Sequence, residues 1–463
     1  MPQGDLVSVV EELRGLVAEL KATIAELNSS VAARDLRITE LEKLLEASRR
    51  SGKRQSAPFS KGRSDDPAKP GRKPGDEHGR HGHRAVPVAA PDRELEAALP
   101  ECCPGCGGDV ELEREEHQFQ VDLPPVRPVV TRFTVQVGRC RKCRRRVQGR
   151  HPEQTSDALG AAGSQVGPVT KAWAHYLHYS LGLSFGKCAN LLRRLGIEVT
   201  AGALCQAAQS TGADLVPIQA EIVRRLNLSP VVTADETGWR VGGGPAWLWV
   251  ATAEGLTVYN VADGRGFDEA CEILGGDYDG VLVRDGWAPY RRYEGATHQS
   301  CTAHFLRRCN EMIEDNPAWA RGTPRQVKGM LLDALGSRDL GARQCQSVAA
   351  DMVDRIELLA EQAHPYDANR RLVAHLHNER HALFTFLARP DVPATNWQAE
   401  QGVRPAVVNR KVWGGNRTWR GAATQSRMMT LLRTATQQGI DAIDWLTAFA
   451  RAPGLGTATL FTP

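Results

Sequence analysis

Between residues 229 and 301 the chain carries the pattern that most limits its fold. Three short apolar, β-rich runs, 231–235, 246–252 and 256–262, follow one another, with Gly242-Gly243-Gly244 as a turn signal between the first two. A helical segment at 268–274 comes next, then a run of buried-strand type at 280–285 and a fifth β-type run at 296–301. The order strand, strand, strand, helix, strand, helix, strand predicts a mixed sheet, because parallel neighbours need a long crossover while antiparallel ones need only a tight turn. Residues 302–390 read as helical and polar without strand signals, and a last helix opens near Asn396. Upstream, 165–226 read as helices. Within them 185–195, the turn 196–200 and 201–209 have helix-turn-helix spacing, which any two short packed helices also give.

The rest of the chain is of different character. In residues 5–48, Val10, Val17, Ile24, Val31, Ile38 and Leu45 repeat every seven, as do Leu6, Leu13, Leu20, Leu27 and Leu41, with Arg34 interrupting the second row. β-branched residues at one seam position and Leu at the other favour a two-stranded coiled coil, so self-association is expected. Residues 49–95 are rich in Gly, Pro, Lys, Arg and His and poor in large apolar residues, the composition of a flexible basic linker. Its centre, Gly71-Arg72-Lys73-Pro74-Gly75, is either a solvated tether or an arm for a DNA minor groove through Arg72 and Lys73. The whole chain of 463 residues is close to neutral, with 58 Lys and Arg against 54 Asp and Glu, so any anion affinity must be local. Residues 51–84 hold nine basic residues against four acidic ones, and 139–150 hold seven and none. No apolar stretch of transmembrane length and no signal-peptide pattern is seen, which predicts a cytoplasmic, nucleoid-associated protein.

Cysteines mark a second unit, at 96–152. Cys103-x-x-Cys106 and Cys140-x-x-Cys143 are two paired knuckles, the spacing that presents four thiolates to a structural Zn²⁺. Runs of β type at 118–121 and 129–138 lie between them, as in a zinc ribbon, and Cys102 is the one competitor for Cys103. Arg141, Lys142, Arg144 and Arg145 surround the second knuckle and are candidate phosphate contacts.

Three carboxylates stand at informative places. Asp235 ends the first apolar run, Asp285 ends the fourth, and Glu400 lies on the late helix, where Asn396, Glu400 and Arg404 are spaced four apart before Pro405 limits the helix. If the first and fourth strands are parallel neighbours, the two aspartates face each other, and two such anions need a cation such as Mg²⁺ between them. Glu236 competes with Asp235, which is preferred because alternation sends it to the face of Val231 and Thr233. Each acid alone also reads as a turn cap or a surface ion pair. Together, on the first strand, the fourth strand and a late helix, they match a ribonuclease-H-like arrangement. Arg410, Lys411, Arg417 and Arg420 follow, with Trp413 and Trp419 interleaved, either as a DNA contact surface or as a basic face over two core tryptophans.

On these residues the chain resembles the transposases of the insertion-sequence-sixty-six family, a group of DDE transposases. The resemblance is carried by Ala234-Asp235-Glu236-Thr237, Arg284-Asp285-Gly286-Trp287, Cys301-x-Ala303-His304, and Asn396-x-x-Ala399-Glu400 leading to Arg404-Pro405 and Arg410-Lys411, with Gln401 where the family usually has Arg. It implies Asp235, Asp285 and Glu400 as the catalytic triad, holding two Mg²⁺ or Mn²⁺ ions about 3.5–4 Å apart. It also implies a helical insertion at 305–392 between two parts of the catalytic core, 229–304 and 393–450, with a DNA-binding region at 160–228 and a tail at 451–463. His304 and Cys301 are expected beside the site. The expected architecture is multidomain α+β: coiled coil, zinc ribbon, helical DNA-binding region and ribonuclease-H-like α/β domain with an all-helical insertion. The implied activity is cleavage at double-stranded DNA ends of the element and joining of the 3′-OH to target DNA, with companion proteins as possible partners. The rival readings are a non-catalytic zinc-ribbon DNA-binding protein with a degenerate domain of that fold, and a nuclease that cuts without joining.

Overall fold

The computed structural model describes residues 23–24, 85–124 and 126–452. The heptad segment lies outside them but for Thr23 and Ile24, as do the arm residues Arg72 and Lys73 and residues 453–463. The chain divides into two units, Met1–Val121 and Asp122–Pro463. In the first, residues 85–121 contain no helix or strand, and the turn at Cys103–Gly108 is closed by backbone bonds from Cys103 N–H to Gly108 O (2.9 Å) and from Gly107 N–H to Cys103 O (2.8 Å).

The second unit opens with a small antiparallel pair, β1 (Val137–Arg139) and β2 (Arg146–Gln148), that brackets the second cysteine knuckle. The expected strands at 118–121 and 129–138 do not form beyond the last residues of the second run. Val129 and Val130 are exposed, and β-branched residues make a strand only where a partner covers them. Helices α1 (Pro168–His175), α2 (Phe185–Arg194), α3 (Ala201–Asp214) and α4 (Val216–Asn227) follow, and a π-helical turn, Tyr176–Ser180, extends α1. Ser184 and Thr200 cap α2 and α3, each accepting an N–H from the first turn, which fixes the two helices of the helix-turn-helix-like stretch at their starts.

Then comes a five-stranded sheet: β3 (Val231–Val241), β4 (Gly244–Ala253), β5 (Leu256–Ala262), helix α5 (Phe267–Leu274), β6 (Val281–Arg284) and β7 (Thr297–Ser300), in the order β5-β4-β3-β6-β7. β3, β4 and β5 form an antiparallel meander, whereas β6 is parallel to β3 and β7 to β6. Gly242 and Gly243 make the β3–β4 turn with φ of 61° and 85°; two successive positive φ values are what a two-residue hairpin twisted with its strands requires. The insertion supplies α6 (Thr302–Asp315), α7 (Gly322–Gly336), α8 (Ala342–Ala360), α9 (Asp367–Glu379) and α10 (Thr385–Ala388). The chain ends in α11 (Trp397–Trp413), α12 (Trp419–Gln437) and α13 (Ala442–Arg451).

Two cores meet at the sheet. Side-chain alternation along β6 sends Leu282 into the main core, while Val281 and Val283 pack with Phe305, Met330, Leu372 and Leu376 of the insertion. The insertion is thus built onto the central strands. Edge strand β5 is closed by α12. Ser426, Thr430 and Thr434, four apart on one helix face, accept the N–H groups of Val261 (3.0 Å), Tyr259 (2.9 Å) and Thr257 (3.2 Å). Four helical residues rise about 6 Å and two strand residues about 6.6 Å, so a hydroxyl row of this spacing satisfies alternate donors of an edge.

Helix α11 does not stop at Pro405. It runs eight residues further, to Trp413. An internal proline costs about 3 kcal/mol, and here Val403, Ala406, Val407 and Asn409, all buried, hold the segment helical around it. Among the described residues no helix is long and apolar enough to cross a membrane.

Candidate active site

Asp235 and Asp285 lie level with each other. The parallel register pairs Thr233 with Val283, and β6 ends one residue later, so each aspartate stands two positions beyond that pair. β3 itself does not end at Asp235. It continues to Val241 on its antiparallel side, with Asp235 opposite Val250. Asp235 therefore sits where β3 loses its parallel neighbour and the sheet opens. Its Oδ1 accepts the N–H of Glu236 at 3.0 Å, and Asp285 Oδ1 accepts the N–H of Trp287 at 2.9 Å. Burial pushes the Asp235 carboxyl well above the usual carboxylate range, and the charges of Glu236, Asp285 and Glu400 push it the same way.

Glu236 points to the other face and is fully engaged. Its Oε1 accepts from Arg265 Nε (2.8 Å) and Nη2 (2.5 Å), and its Oε2 accepts from the Tyr290 hydroxyl (2.7 Å). Arg265 is held between two indoles, 3.9 Å from the Trp287 ring centroid and 4.6 Å from that of Trp247. Trp287 also donates Nε1–H to the Arg265 carbonyl at 3.1 Å, so the Asp285 turn and the Arg265 loop are one hydrogen-bonded piece. Sequence reasoning missed Arg265 and Tyr290, which carry no local signal. Trp287 was visible only as part of the Arg284-Asp285-Gly286-Trp287 string.

Glu400 lies in the first turn of α11, half-exposed, with Oε1 3.7 Å from His304 Nε2 and 3.8 Å from Arg307 Nη2. Asn396 does not share its helical face: it is the residue before the helix, fully buried, with its N–H on Cys301 Sγ (3.4 Å) and Nδ2 on the Ala234 carbonyl (3.5 Å). This pins the start of α11 to β3 one residue before Asp235. Arg404 Nη1 reaches the Gln401 side chain at 3.4 Å. Hard oxygen donors and mutual repulsion at Asp235 suit a divalent cation. Among the described residues, however, no three His, Cys, Asp or Glu side chains stand close enough to hold one ion together.

The two cysteine knuckles fall in different units, Cys103 and Cys106 in the first and Cys140 and Cys143 in the second, and all four are free thiols. Each knuckle is a loop set by its own backbone. Cys140 N–H donates to Arg145 O (2.8 Å) and Arg144 N–H to Cys140 O (2.9 Å), the pattern also seen at Cys103. The fifth residue of each loop has positive φ, 75° at Gly107 and 58° at Arg144; the latter carries a side chain in a conformation that costs about 1–2 kcal/mol. Backbone N–H groups of Gly105 and Cys106 lower the Cys103 thiol, and those of Cys143 and Lys142 lower Cys140. Cys102 is exposed.

Arg141, Lys142, Arg144 and Arg145 are all exposed around the second knuckle, as are Lys411 in the last turn of α11 and Arg417 after it. Arg410 is half-buried, with Nη1 3.5 Å from Thr237 Oγ1. The two tryptophans interleaved with these cations separate. Trp413 packs on Trp239 (5.9 Å) and stacks on His178 (4.8 Å), whereas Trp419 is 50% exposed.

Residues 163–424 match the family described as "Transposase IS66 family". The chain is also similar to "Uncharacterized protein y4qI" of Sinorhizobium fredii, 24% identical over 312 residues, 58% of this chain and 56% of that protein. The chain thus spans little more than half the length of this curated relative. The matched region runs from the helices before the sheet, through both aspartates and the insertion, to Glu400 and into α12, and with it the chain belongs to the IS66 family of transposases.

Proposed function

We propose that the chain is a metal-dependent DNA transposase of DDE type, whose five-stranded sheet is the core of a ribonuclease-H-like domain. The observation that carries this reading is the pair of aspartates side by side where β3 and β6 part, with the Asp235 carboxyl raised by burial and by like charges. Asp235, Asp285 and Glu400 are the residues that would hold Mg²⁺ or Mn²⁺. Such ions, when bound, lower the pKa of an attacking water and stabilise a leaving 3′ oxygen. The chain's own groups orient the ligands. Backbone N–H groups of Glu236 and Trp287 each fix one oxygen of the aspartates, and Asn396 seats the helix that presents Glu400. Arg265 and Tyr290 occupy both oxygens of Glu236, so it does not compete as a ligand. Arg410, Lys411 and Arg417, with the knuckle cations Arg141, Lys142, Arg144 and Arg145, are assigned to DNA phosphates. The substrates are the element's double-stranded ends, cut to free a 3′-OH, and target DNA, which that hydroxyl attacks. His304 and Cys301 are placed beside the site without a step of their own. Zinc binding by the thiol pairs of the two knuckles belongs to the same proposal, supported by the lowered thiols of Cys103 and Cys140. Self-association through residues 5–48 belongs to it as well.

The test is nicking and joining of end DNA by Asp235→Asn, Asp285→Asn and Glu400→Gln, with end affinity measured in parallel. Loss of both reactions with affinity retained is expected; a variant that still cuts rejects its residue. Wild-type protein that binds ends without metal-dependent nicking would make this a DNA-binding protein of the same fold, and nicking without joined products would make it a nuclease. Zinc analysis of the purified chain, expected to be stoichiometric and lost on Cys140→Ser, checks the thiol assignment.

A further inference from the structure

The helical insertion grips the turn that carries Asp285 through a carboxylate, Glu379, that water does not reach. Arg284, the residue before Asp285, closes β6 with its side chain 3% exposed, and Glu379 closes α9 with its side chain 0% exposed. Arg284 Nη1 donates to Glu379 Oε2 at 2.5 Å and to the backbone carbonyl of Asp285 at 2.9 Å. From the far side of the turn, Arg291 donates to the other oxygen, Oε1, through Nε (2.8 Å) and Nη2 (2.7 Å). One carboxylate of the insertion thus holds the arginines on both flanks of Asp285. One helical turn earlier on α9, His375 lies against Gly286, where a Cβ would come within 2.7 Å of the ring Cε1. Below the turn, Val281 and Val283 are buried in the insertion's core.

A buried ion cluster is poor evidence of stabilisation, since apolar groups of similar volume often serve the fold as well. What apolar groups do not supply is the hydrogen bond to the Asp285 carbonyl. Two guanidinium groups against one carboxylate also leave a net positive charge beside an aspartate that has no ion pair of its own among the described residues. We propose that Glu379 is a positioning residue: through Arg284 and Arg291 it fixes the turn from which Asp285 presents its carboxylate, so the insertion sets the metal site. This rests on the proposed function, in which Asp285 is a metal ligand.

The test uses the full chain and four readouts: melting, end-DNA affinity, Mn²⁺ affinity without DNA from the electron spin resonance of free Mn²⁺, and the Mn²⁺ dependence of nicking. Glu379→Gln is expected to leave end affinity unchanged and to weaken Mn²⁺ binding by about 10–100-fold, the usual effect of losing a partner behind a metal ligand. Nicking should return as Mn²⁺ is raised. Gly286→Ala presses on the same turn without touching a buried charge and serves if Glu379→Gln does not fold. It should weaken Mn²⁺ binding likewise, and adding His375→Ala to it should restore the affinity. Folded variants that bind Mn²⁺ as the wild type does, or lose nicking that Mn²⁺ does not restore, overturn the positioning role alone. Wild-type protein that neither binds Mn²⁺ nor nicks overturns the proposed function and this inference with it.

Discussion

Acid should loosen the joint between the N-terminal helices and the helix that bears Glu400, and His178 is the residue that makes it do so. His178 lies in the π-helical turn, 6% exposed, stacked on Phe185 (3.8 Å between centroids) and on Trp413 at the end of α11. Burial lowers its pKa to about 4, although the hydrogen bond from Nδ1 to the Leu183 carbonyl works the other way. His175, one turn earlier, is lowered to about 3 by burial and then by the nearby charges of His178 and Lys171. Both are neutral in the fold, and their folded pKa values lie below the unfolded value of about 6.5. Stability is therefore full above about pH 6.5 and is lost as pH falls toward the folded values, because the unfolded chain takes up protons that the fold refuses. Between about pH 8 and about pH 5 this amounts to ~2 kcal/mol for each histidine. His178→Phe keeps the stack and loses the bond to Leu183, a cost of about 1 kcal/mol at pH 8. It also removes ~2 kcal/mol of acid sensitivity, so the variant should be less stable than the wild type at about pH 8 and more stable at about pH 5. Urea unfolding followed by circular dichroism at the two pH values reads this crossing. A difference between the two proteins that stays constant with pH would show that His178 is not buried neutral and refute the reasoning.

Two further outcomes follow from close contacts elsewhere in the second unit. Arg265→Met strands the Glu236 carboxylate against Tyr290 alone; losing one partner of a buried pair should cost about 3 kcal/mol, and adding Glu236→Gln should recover most of it in a thermal-unfolding double-mutant cycle. Additive losses would mean that the pair carries no coupling. At Gly182, φ is 75° and a Cβ would lie 2.5 Å from Asn409 Oδ1, so Gly182→Ala both strains the backbone and pushes Asn409 off the Tyr179 carbonyl it donates to at 3.0 Å. A loss of at least ~2 kcal/mol is expected in urea unfolding, and one below about 0.5 kcal/mol would contradict the contact.

What the sequence disclosed was local. The five β-type runs, the Gly242-Gly243 turn and the level placement of two aspartates rest on short apolar stretches and spacing, and buried strands leave that signal in the chain itself. The misjudged boundaries depend on partners. Residues 236–241 contain Glu236, Gly238 and Arg240, yet stay extended because β4 pairs with them, and α11 passes Pro405 because its apolar face is buried. The charged groups around the aspartates were the least legible, since Arg265 and Glu379 reach partners 29 and 95 residues away in the chain.

Those long-range pairs separate one kind of carboxylate from another. Glu236 and Glu379 are the most deeply buried acids near the Asp285 turn, and each is saturated by arginine, with Tyr290 completing the first. Asp235 and Asp285 meet backbone N–H groups, and among the described residues neither forms an ion pair. Arginine cannot be displaced from a buried bidentate acid without leaving that acid stranded, at several kcal/mol. Glu236 and Glu379 are therefore committed, whereas Asp235 and Asp285 meet no cationic side chain among the described residues, and under the proposed function they are the acids that take a cation from outside the chain. On this account the DDE reading depends less on the number of acids at the sheet's end than on which of them the fold has declined to neutralise, and substituting Arg265 or Glu379 should blur that distinction even though neither residue would touch DNA or metal.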